Sequence, residues 1–533
     1  MRTTTDRFPS VPRLRHGGNL TGANLQREIG IQSACSCNSD HRNSSKCNWL
    51  PISAAVALAL GSFSASAVDF HGYFRSGVQN NLTNGGAVYC FGNGNAGHLL
   101  GRLGDECDTY AELALTQEVF NKAKNKFTVN TLMAWGTTEG NWDKQGNSWQ
   151  AVGKGGDRAG ANGDSAWHGQ RASIREAWAG YTLPMGAQIW AGKRFYQRKD
   201  IHILDFYYLN DSGTGAGIEG IPVGTLGQAS FAVIKQQVDL GGTNARDTYN
   251  IDTRWSGIPL WKDASLDLAM IWGLPSTTDS QKDKQKETGD VAYSSNSGVI
   301  LMAEYTQGNF FGGFNKLSVT YGTDGFAYAG VLNGGNHVGD GFKPDDDDAW
   351  GLRVIDWGLI EQDKWNLGYS FMGAYRHGDA HWTHSNGHDY SFVIRPAYKW
   401  SNFTSTVLEA GYFVGKNTGN DYYDASAGHG WGTGWQMPSH DHVDAYKFTL
   451  AQQFSPMTTF WARPSIRFYV SYLGGSLMKK EATGQDDHNG EVSIGAQAEA
   501  WCQSDRLLHD GIVVSACCPA GCFYSQRLTK GLF

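Results

Sequence analysis

The chain has 533 residues, with 69 Gly, 19 Trp and 23 Tyr against only 13 Pro, and 18% of its residues are charged. A formal net charge of −7 excludes the basic footprint that a nucleic-acid partner requires. No uninterrupted apolar run approaches the roughly 20 residues of a membrane-spanning helix, and apolar residues recur at every second position, the pattern of an all-β chain with many turns.

Residues 1–45 are rich in Arg, Asn and Ser and lack periodicity, which reads as an unstructured leader or a mis-called start. Over 46–67, Lys46 precedes the apolar stretch Leu50–Leu60 and then Ser64-Ala-Ser-Ala67, the order of a signal peptide with Val68 as the first mature residue. Export places the chain in an oxidising compartment. Of its nine cysteines, Cys90 and Cys107 fall inside the β-patterned region. Joined as a disulfide they would close a loop of about 17 residues, on the order of 3 kcal/mol in the chain-entropy model; two free thiols are the alternative.

From Val68 to Trp501 the texture is uniform, without a linker, which argues for one domain over 68–501. Alternating runs begin at 68–78 and 109–120 and continue to 460–472 and 490–501, with weaker ones at 216–224 and 226–238. Roughly sixteen to eighteen strands are enough for a transmembrane antiparallel β-barrel with an aqueous lumen, closed because open sheet edges cannot be satisfied in lipid. The Gly/Asn/Asp-rich stretches at 136–168, 276–297, 323–347 and 414–441 read as exposed loops. Apolar alternation ending in Trp, as at Phe127, Val129, Met133 and Trp135 or at Leu266, Leu268, Met270 and Trp272, fits lipid-facing surfaces capped by aromatic girdles.

The chemistry lies in aromatics that share the polar face. Tyr73 and Arg75 oppose Phe70 and Phe74; Tyr110 and Glu112 oppose Leu113 and Leu115; Phe314, Lys316, Ser318 and Thr320 oppose Leu317, Val319 and Tyr321. Trp461 shares a face with Arg463, Ser465 and Arg467, and Trp501 with Ser493, Gln497 and Glu499. One such ring is a stray aromatic on a solvated sheet. Several together describe a conduit that meets a partly apolar solute in water, and a sugar ring fits.

By Val68-Asp-Phe-His-Gly-Tyr-Phe-Arg-Ser-Gly77 and Trp190-Ala-Gly-Lys-Arg-Phe-Tyr-Gln-Arg-Lys-Asp200 the chain resembles the maltoporins, outer-membrane channels for maltose and maltodextrins. Further matches are Arg102-Leu-Gly-Asp-Glu-Cys-Asp-Thr-Tyr-Ala-Glu112, Gly313-Phe-Asn-Lys316, Ile394-Arg-Pro-Ala-Tyr-Lys-Trp400, Leu450-Ala-Gln-Gln-Phe454 and Trp461-Ala-Arg-Pro464. The resemblance implies a homotrimer of 18-stranded barrels in the outer membrane of a Gram-negative bacterium, with no cofactor and with a periplasmic sugar-binding protein as a further partner. It implies an aromatic slide at Tyr73, Tyr110, Phe314, Trp461 and Trp501, with Trp142 reaching in from loop 2 of a neighbouring subunit; loop 2 also offers Trp149 and Trp167. A flanking polar track would comprise Arg75, Arg102, Glu112, Arg175, Arg198, Asp200, Asp205 and Tyr207. The segment Phe195 to Asn210 resembles the inward-folded constriction loop. Its Arg198 and Tyr207 match the maltodextrin channels, whereas sucrose-type relatives are wider at these places. The plainer role of Arg198, Asp200 and Asp205 is an ion-pair network fastening that loop to the wall.

Residues 502–533 depart from the family, whose members end at or near the aromatic matching Trp501. Here four cysteines follow without alternation, as a frameshift near the stop codon would produce; a genuine tail would put outer-membrane assembly in doubt. The pair Asp200 and Asp205 could suggest a glycosidase, but nearby cations are expected to keep such carboxyls ionised rather than poised as acids, so no enzyme is expected. The run Asp345–Asp348 lacks the Gly and ligand spacing of a calcium loop and reads as a solvated acidic loop, so no metal is expected. A soluble lectin explains the aromatics but not the outward alternation. A channel for other oligosaccharides or glucosides, or a general diffusion porin, is the closer alternative.

Overall fold

The computed structural model describes residues 69–83, 99–104, 108–138, 171–239, 245–288, 297–324, 326–327, 349–377, 386–416, 443–475 and 490–503. The leader, the signal segment, Cys90, Cys107, Trp142, Trp149, Trp167, the acidic run and the tail beyond Gln503 lie outside these residues.

The strands in order are β1 (Asp69–Asn81), β2 (Asp108–Lys122), β3 (Asn125–Thr138), β4 (Arg171–Thr182), β5 (Gln188–Arg194), β6 (Lys199–Ile201), β7 (Phe206–Leu209), β8 (Gly213–Pro222), β9 (Gln228–Asp239), β10 (Ala245–Pro259), β11 (Ala264–Ser276), β12 (Gly298–Phe310), β13 (Gly313–Thr323), β14 (Trp350–Glu361), β15 (Trp365–His377), β16 (Gly387–Lys399), β17 (Thr404–Lys416), β18 (Val443–Phe454), β19 (Ser465–Gly474) and β20 (Glu491–Gln503). Eighteen of them form one antiparallel sheet; β6 and β7 form a separate two-stranded one. β1 pairs with both β2 and β20, so the sheet closes on itself and leaves no edge. Tight turns join the strands at one end, as at Ala123 and Lys124, whose φ of 51° and 67° suit the twist of a two-residue hairpin. The connections at the other end are mostly longer, although β9 and β10 are joined there by five residues.

Burial is inverted relative to a water-soluble protein. Phe392 and Phe468 are 47% and 56% exposed, while Glu304, Glu409 and Lys447 are 0% exposed. Along β13, Leu317, Val319 and Tyr321 face out and Ser318 and Thr320 face in, as the alternation requires. The exposed aromatics collect at both strand ends: Trp261, Phe311, Trp365, Trp400 and Phe403 by the short turns, and Tyr249, Trp272, Tyr321, Tyr375 and Tyr390 toward the long loops. These are the two girdles of a lipid-facing band.

The segment between β5 and β8 leaves the wall and enters the lumen. Its β6–β7 hairpin turns at 202–205, with Leu204 N–H donating to Ile201 O at 3.0 Å. Ile201, Ile203, Leu204, Phe206 and Tyr208 pack with wall residues Ile271, Ile300, Met302, Ile355 and Met372 in the main apolar cluster. Each buried side chain contributes about 1.5–3 kcal/mol, enough to draw the hairpin off the solvent-filled axis.

Three features differ from the sequence expectation, and a fourth, the tuck of residues 99–104, extends its placing of Arg102 in the polar track. Residues 460–464 are a turn, and β19 begins only at Ser465. β20 runs past Trp501 to Gln503, because Gly72 and His71 of β1 offer it pairing partners. Within the stretch read as a loop at 276–297, α1 (Asp279–Thr288) forms; Thr278 and Gln281 exchange side-chain bonds with each other's backbone N–H, at 2.9 and 3.2 Å, a capping box. Part of the first loop, residues 99–104, also tucks inside, with Leu99 and Leu100 in the main cluster.

Val319 sits near the middle of β13 and faces lipid. Val319→Arg is expected to lower stability in a bilayer by about 2–4 kcal/mol, whereas the lumen-facing Lys316→Arg changes it little. Reversible denaturation in lipid vesicles measures both.

Candidate functional site

The site is the inner wall where the sheet closes, facing the constriction loop. In register, Tyr73 stands opposite Trp501 on one side and Glu112 on the other, and Arg75 stands opposite Tyr110 and Glu499. Period-two geometry turns all of these inward. The Tyr73 and Tyr110 rings are 6.0 Å apart, and the Arg75 guanidinium lies 5.3 Å from the centre of the Tyr110 ring.

Trp461 joins this row by a different route from the one alternation suggested. It lies in the β18–β19 turn rather than on a strand, and the turn carries it inward until its ring is 6.4 Å from Trp501. Phe460 packs edge-on against it at 4.8 Å. Tyr110, Tyr73, Trp501 and Trp461 therefore form a continuous row across β2, β1, β20 and the adjoining turn. Phe314 stands apart from it, edge-on to Trp357 at 5.1 Å on the β13–β14 wall. Phe460 and Phe314 both pack on the main apolar cluster, which links the two patches.

Charges flank the row. Glu499 is 2% exposed and lies 2.7 Å from Arg463, 2.9 Å from Arg467 and 3.4 Å from Arg102. Tyr73 Oη donates to it at 3.3 Å and accepts from Arg102 Nη2 at 2.9 Å. One carboxylate thus holds three guanidiniums. Removing the carboxylate would cost roughly 3–5 kcal/mol, because it would strand buried cations. Arg463 also stacks 4.7 Å from the Trp501 ring centre. On β2, Tyr110 Oη donates to Glu112. Arg175 is the extra residue at a register shift in β4, between the partners of Leu132 and Met133. Such a bulge re-aims side chains, and Arg175 is within electrostatic reach of Tyr110.

The constriction loop supplies the facing side. The Arg198 guanidinium lies between two rings, 3.7 Å from the centre of Phe195 and 4.4 Å from that of Tyr207. Asp205 pairs with Arg75 at 3.2 Å and so ties the loop to β1. Burial pushes the Asp200 carboxyl up to about 6 against the opposing pull of Arg198. That corrects the expectation that nearby cations would dominate. The Tyr207 hydroxyl is pushed up by burial as well.

The ties that fasten the loop to the wall are mostly not the expected ones. Lys199 Nζ reaches Asp267 at 2.7 Å and Glu304 at 2.9 Å, and Tyr208 Oη donates to Glu304 at 2.5 Å. Arg353 donates to Tyr208 O, and Asn250 Nδ2 to Asp211 Oδ1 at 2.8 Å. At the loop's root, Arg194 stacks 4.1 Å from the Trp178 ring centre and pairs with Glu219 at 2.8 Å.

His202 is a lining residue the sequence reading missed. It lies at the tip of the loop, 5.1 Å from the Trp461 ring and 5.7 Å from that of Trp501, with Nε2 3.1 Å from Arg463 and Nδ1 3.4 Å from Arg102. Burial, reinforced by Arg102, holds it neutral well below the usual imidazole range. Its spacing from Asp200 and Asp205 in the constriction segment was the available signal. Glu499 and Arg463 were visible as polar-face neighbours of Trp501 and Trp461, but their joint network needs the closed sheet.

A family model described as LamB porin matches residues 68–502. Maltoporin from Photobacterium profundum is 35% identical over 463 residues, covering 85% of this chain and 98% of that protein. Maltoporin from Vibrio cholerae serotype O1 (El Tor Inaba) is 35% identical over 473 residues, covering 84% and 98%. Among solved structures, Pseudomonas aeruginosa OpdK with vanillate is similar at a TM-score of 0.43 and 8% identity, over 82% of this chain and 99% of that one. Acinetobacter baumannii OccAB1 is similar at 0.43 and 8%, over 82% and 96%. With the closed 18-stranded sheet and its lipid-facing band, the matches over nearly the whole β-patterned region establish that this chain is an outer-membrane β-barrel belonging to the LamB porin family.

Proposed function

We propose that the channel carries maltose and maltodextrins across the outer membrane by facilitated diffusion along the aromatic row. The observation that supports this most is the continuous set Tyr110, Tyr73, Trp501 and Trp461, flanked by Arg75, Arg102, Arg463 and Glu499. A glucosyl ring offers an apolar face to such rings and hydroxyls to the ionised groups beside them, which are stronger partners than neutral ones. Because adjacent rings offer similar sites, a sugar can pass from one to the next without a deep trap, as transport requires. The names of the maltoporin relatives agree with this substrate class.

Phe314 extends the path as a second patch beside Trp357. Trp142 of a neighbouring subunit would begin it, in a homotrimer whose second loop crosses between subunits; a periplasmic sugar-binding protein would receive the product. The pair Asp200 and Asp205 acts as channel lining, in a family of channels rather than enzymes.

Ion current through planar bilayers tests the proposal. Maltohexaose is expected to block it saturably, and Trp461→Ala to raise the half-blocking concentration about tenfold, the equivalent of one lost aromatic contact. Current indifferent to maltohexaose in the unaltered protein would leave a general diffusion porin. The Asp200 carboxyl gives a separate signature. It takes up a proton as pH falls through about 6, and the constriction then gains positive charge. Reversal potentials should therefore move toward anion preference between about pH 7 and 5, and Asp200→Asn should remove that step.

A further inference from the structure

Residues 99–104 of the first loop lie between the tip of the constriction loop and the wall formed by β16–β19. On the lumen side, Arg102 N–H donates to Ile203 O at 3.0 Å. On the wall side, Ser391 Oγ donates to Leu99 O at 2.5 Å and Thr449 Oγ1 to Leu103 O at 3.0 Å. Lys447 Nζ donates to Gly101 O and, at 3.1 Å, to Leu103 O. Glu409 is the node. Its carboxylate accepts Leu103 N–H at 2.8 Å and Arg395 Nε at 2.6 Å, and it lies 3.2 Å from Lys447. Arg395 Nη2 donates in turn to Ile203 O at 3.2 Å, the carbonyl that Arg102 N–H also reaches.

One buried carboxylate is thus connected to the first loop directly and to the constriction loop through Arg395. We infer that Glu409, Arg395 and Lys447 are positioning residues that set the width and sugar affinity of the constriction, by holding residues 99–104 as a wedge behind the constriction loop. The inference on sugar affinity rests on the saccharide-channel reading; the inference on width does not. All three side chains are buried against the wall, with Glu409 and Lys447 0% exposed and Arg395 6% exposed, so an effect on sugar must pass through the loops.

The physics runs one way. Neutralising Glu409 as Gln leaves two buried cations without their counter-charge and replaces one of its two acceptor oxygens with an NH2, so either Leu103 N–H or Arg395 loses its acceptor and the wedge loses its grip. Ile203 O then loses the partners that fix it, and His202, set between Trp461 and Trp501, moves with it. Packing offers an independent handle. Gly101 has φ +90°, and a Cβ there would lie 2.4 Å from Glu409 Oε1. Gly411, an inward-facing residue of β17, lies so close under the wedge that a Cβ would come 2.1 Å from Leu100 O. Gly411→Ala therefore pushes the wedge without altering any charge.

The test compares Glu409→Gln, Gly411→Ala, the milder Thr449→Val and the lipid-facing control Leu408→Ala with the unaltered protein. Each is reconstituted in planar bilayers, with folding checked by heat-modifiable migration in detergent. Glu409→Gln, which loosens the wedge, is expected to raise single-channel conductance without sugar, and Gly411→Ala, which pushes the wedge off the wall toward the lumen, to lower it; both should weaken maltohexaose block about tenfold, mainly through faster dissociation. Thr449→Val, which removes one bond to the wedge, should follow Glu409→Gln to a smaller degree, and Leu408→Ala should match the unaltered protein. Conductance and dissociation rate unchanged in Gly411→Ala and Thr449→Val would overturn the inference, whether or not Glu409→Gln folds. If the unaltered protein itself shows no sugar block, the saccharide reading fails, while a conductance raised in Glu409→Gln and lowered in Gly411→Ala still supports the wedge.

Discussion

Closure of the sheet between β1 and β20 is the constraint on which the rest depends. A strand in lipid cannot leave its backbone unpaired, so the last strand must return to the first, and that pairing sets Tyr73 opposite Trp501 and Arg75 opposite Glu499. The aromatic row and its charges bring together residues as far as 428 positions apart in sequence, Tyr73 and Trp501. Their adjacency is a product of register, and a slip of β20 by one residue would turn Trp501 and Glu499 toward lipid.

The inverted burial has a second consequence. An inward polar face concentrates charge in a confined space, and the protein pairs it densely: Glu499 with three guanidiniums, Glu304 with Lys199, Lys316 and Tyr208, Glu409 with Arg395 and Lys447. Each network also grips an inserted loop. Glu304 and Glu409 are 0% exposed and hold the inserted segments, Glu304 through Lys199 and Tyr208 and Glu409 through Leu103 N–H, whereas Arg75 and Asp205 meet at the lumen itself. Rigid wall strands thereby hold irregular segments in fixed positions.

The legible part was what strand periodicity carries. Phe314 and Lys316 against Leu317 and Val319, or Glu499 and Trp501 against Ile494, follow from the two-residue repeat alone, and the structure has them so. The resemblance supplied the constriction loop, which periodicity could not, because the β6–β7 hairpin owes its place to packing on distant wall residues. Trp461 was assigned to the lumen on the wrong local grounds, since its position comes from a turn. The tuck of residues 99–104 and the role of Glu409 left no local signal: a lone Glu in a strand says nothing of a loop some three hundred residues earlier. The elevated Asp200 carboxyl was missed for a related reason, because charges can be counted in sequence and burial cannot.

The central claim is that sugars travel on the row from Tyr110 to Trp461, and an experimental structure of the protein soaked with maltohexaose tests it most directly. The account predicts successive glucosyl rings stacked on Tyr73, Trp501 and Trp461, with their hydroxyls turned toward Arg75, Arg102 and Arg463. Saccharide density on another part of the wall, or none at saturating sugar, would contradict it.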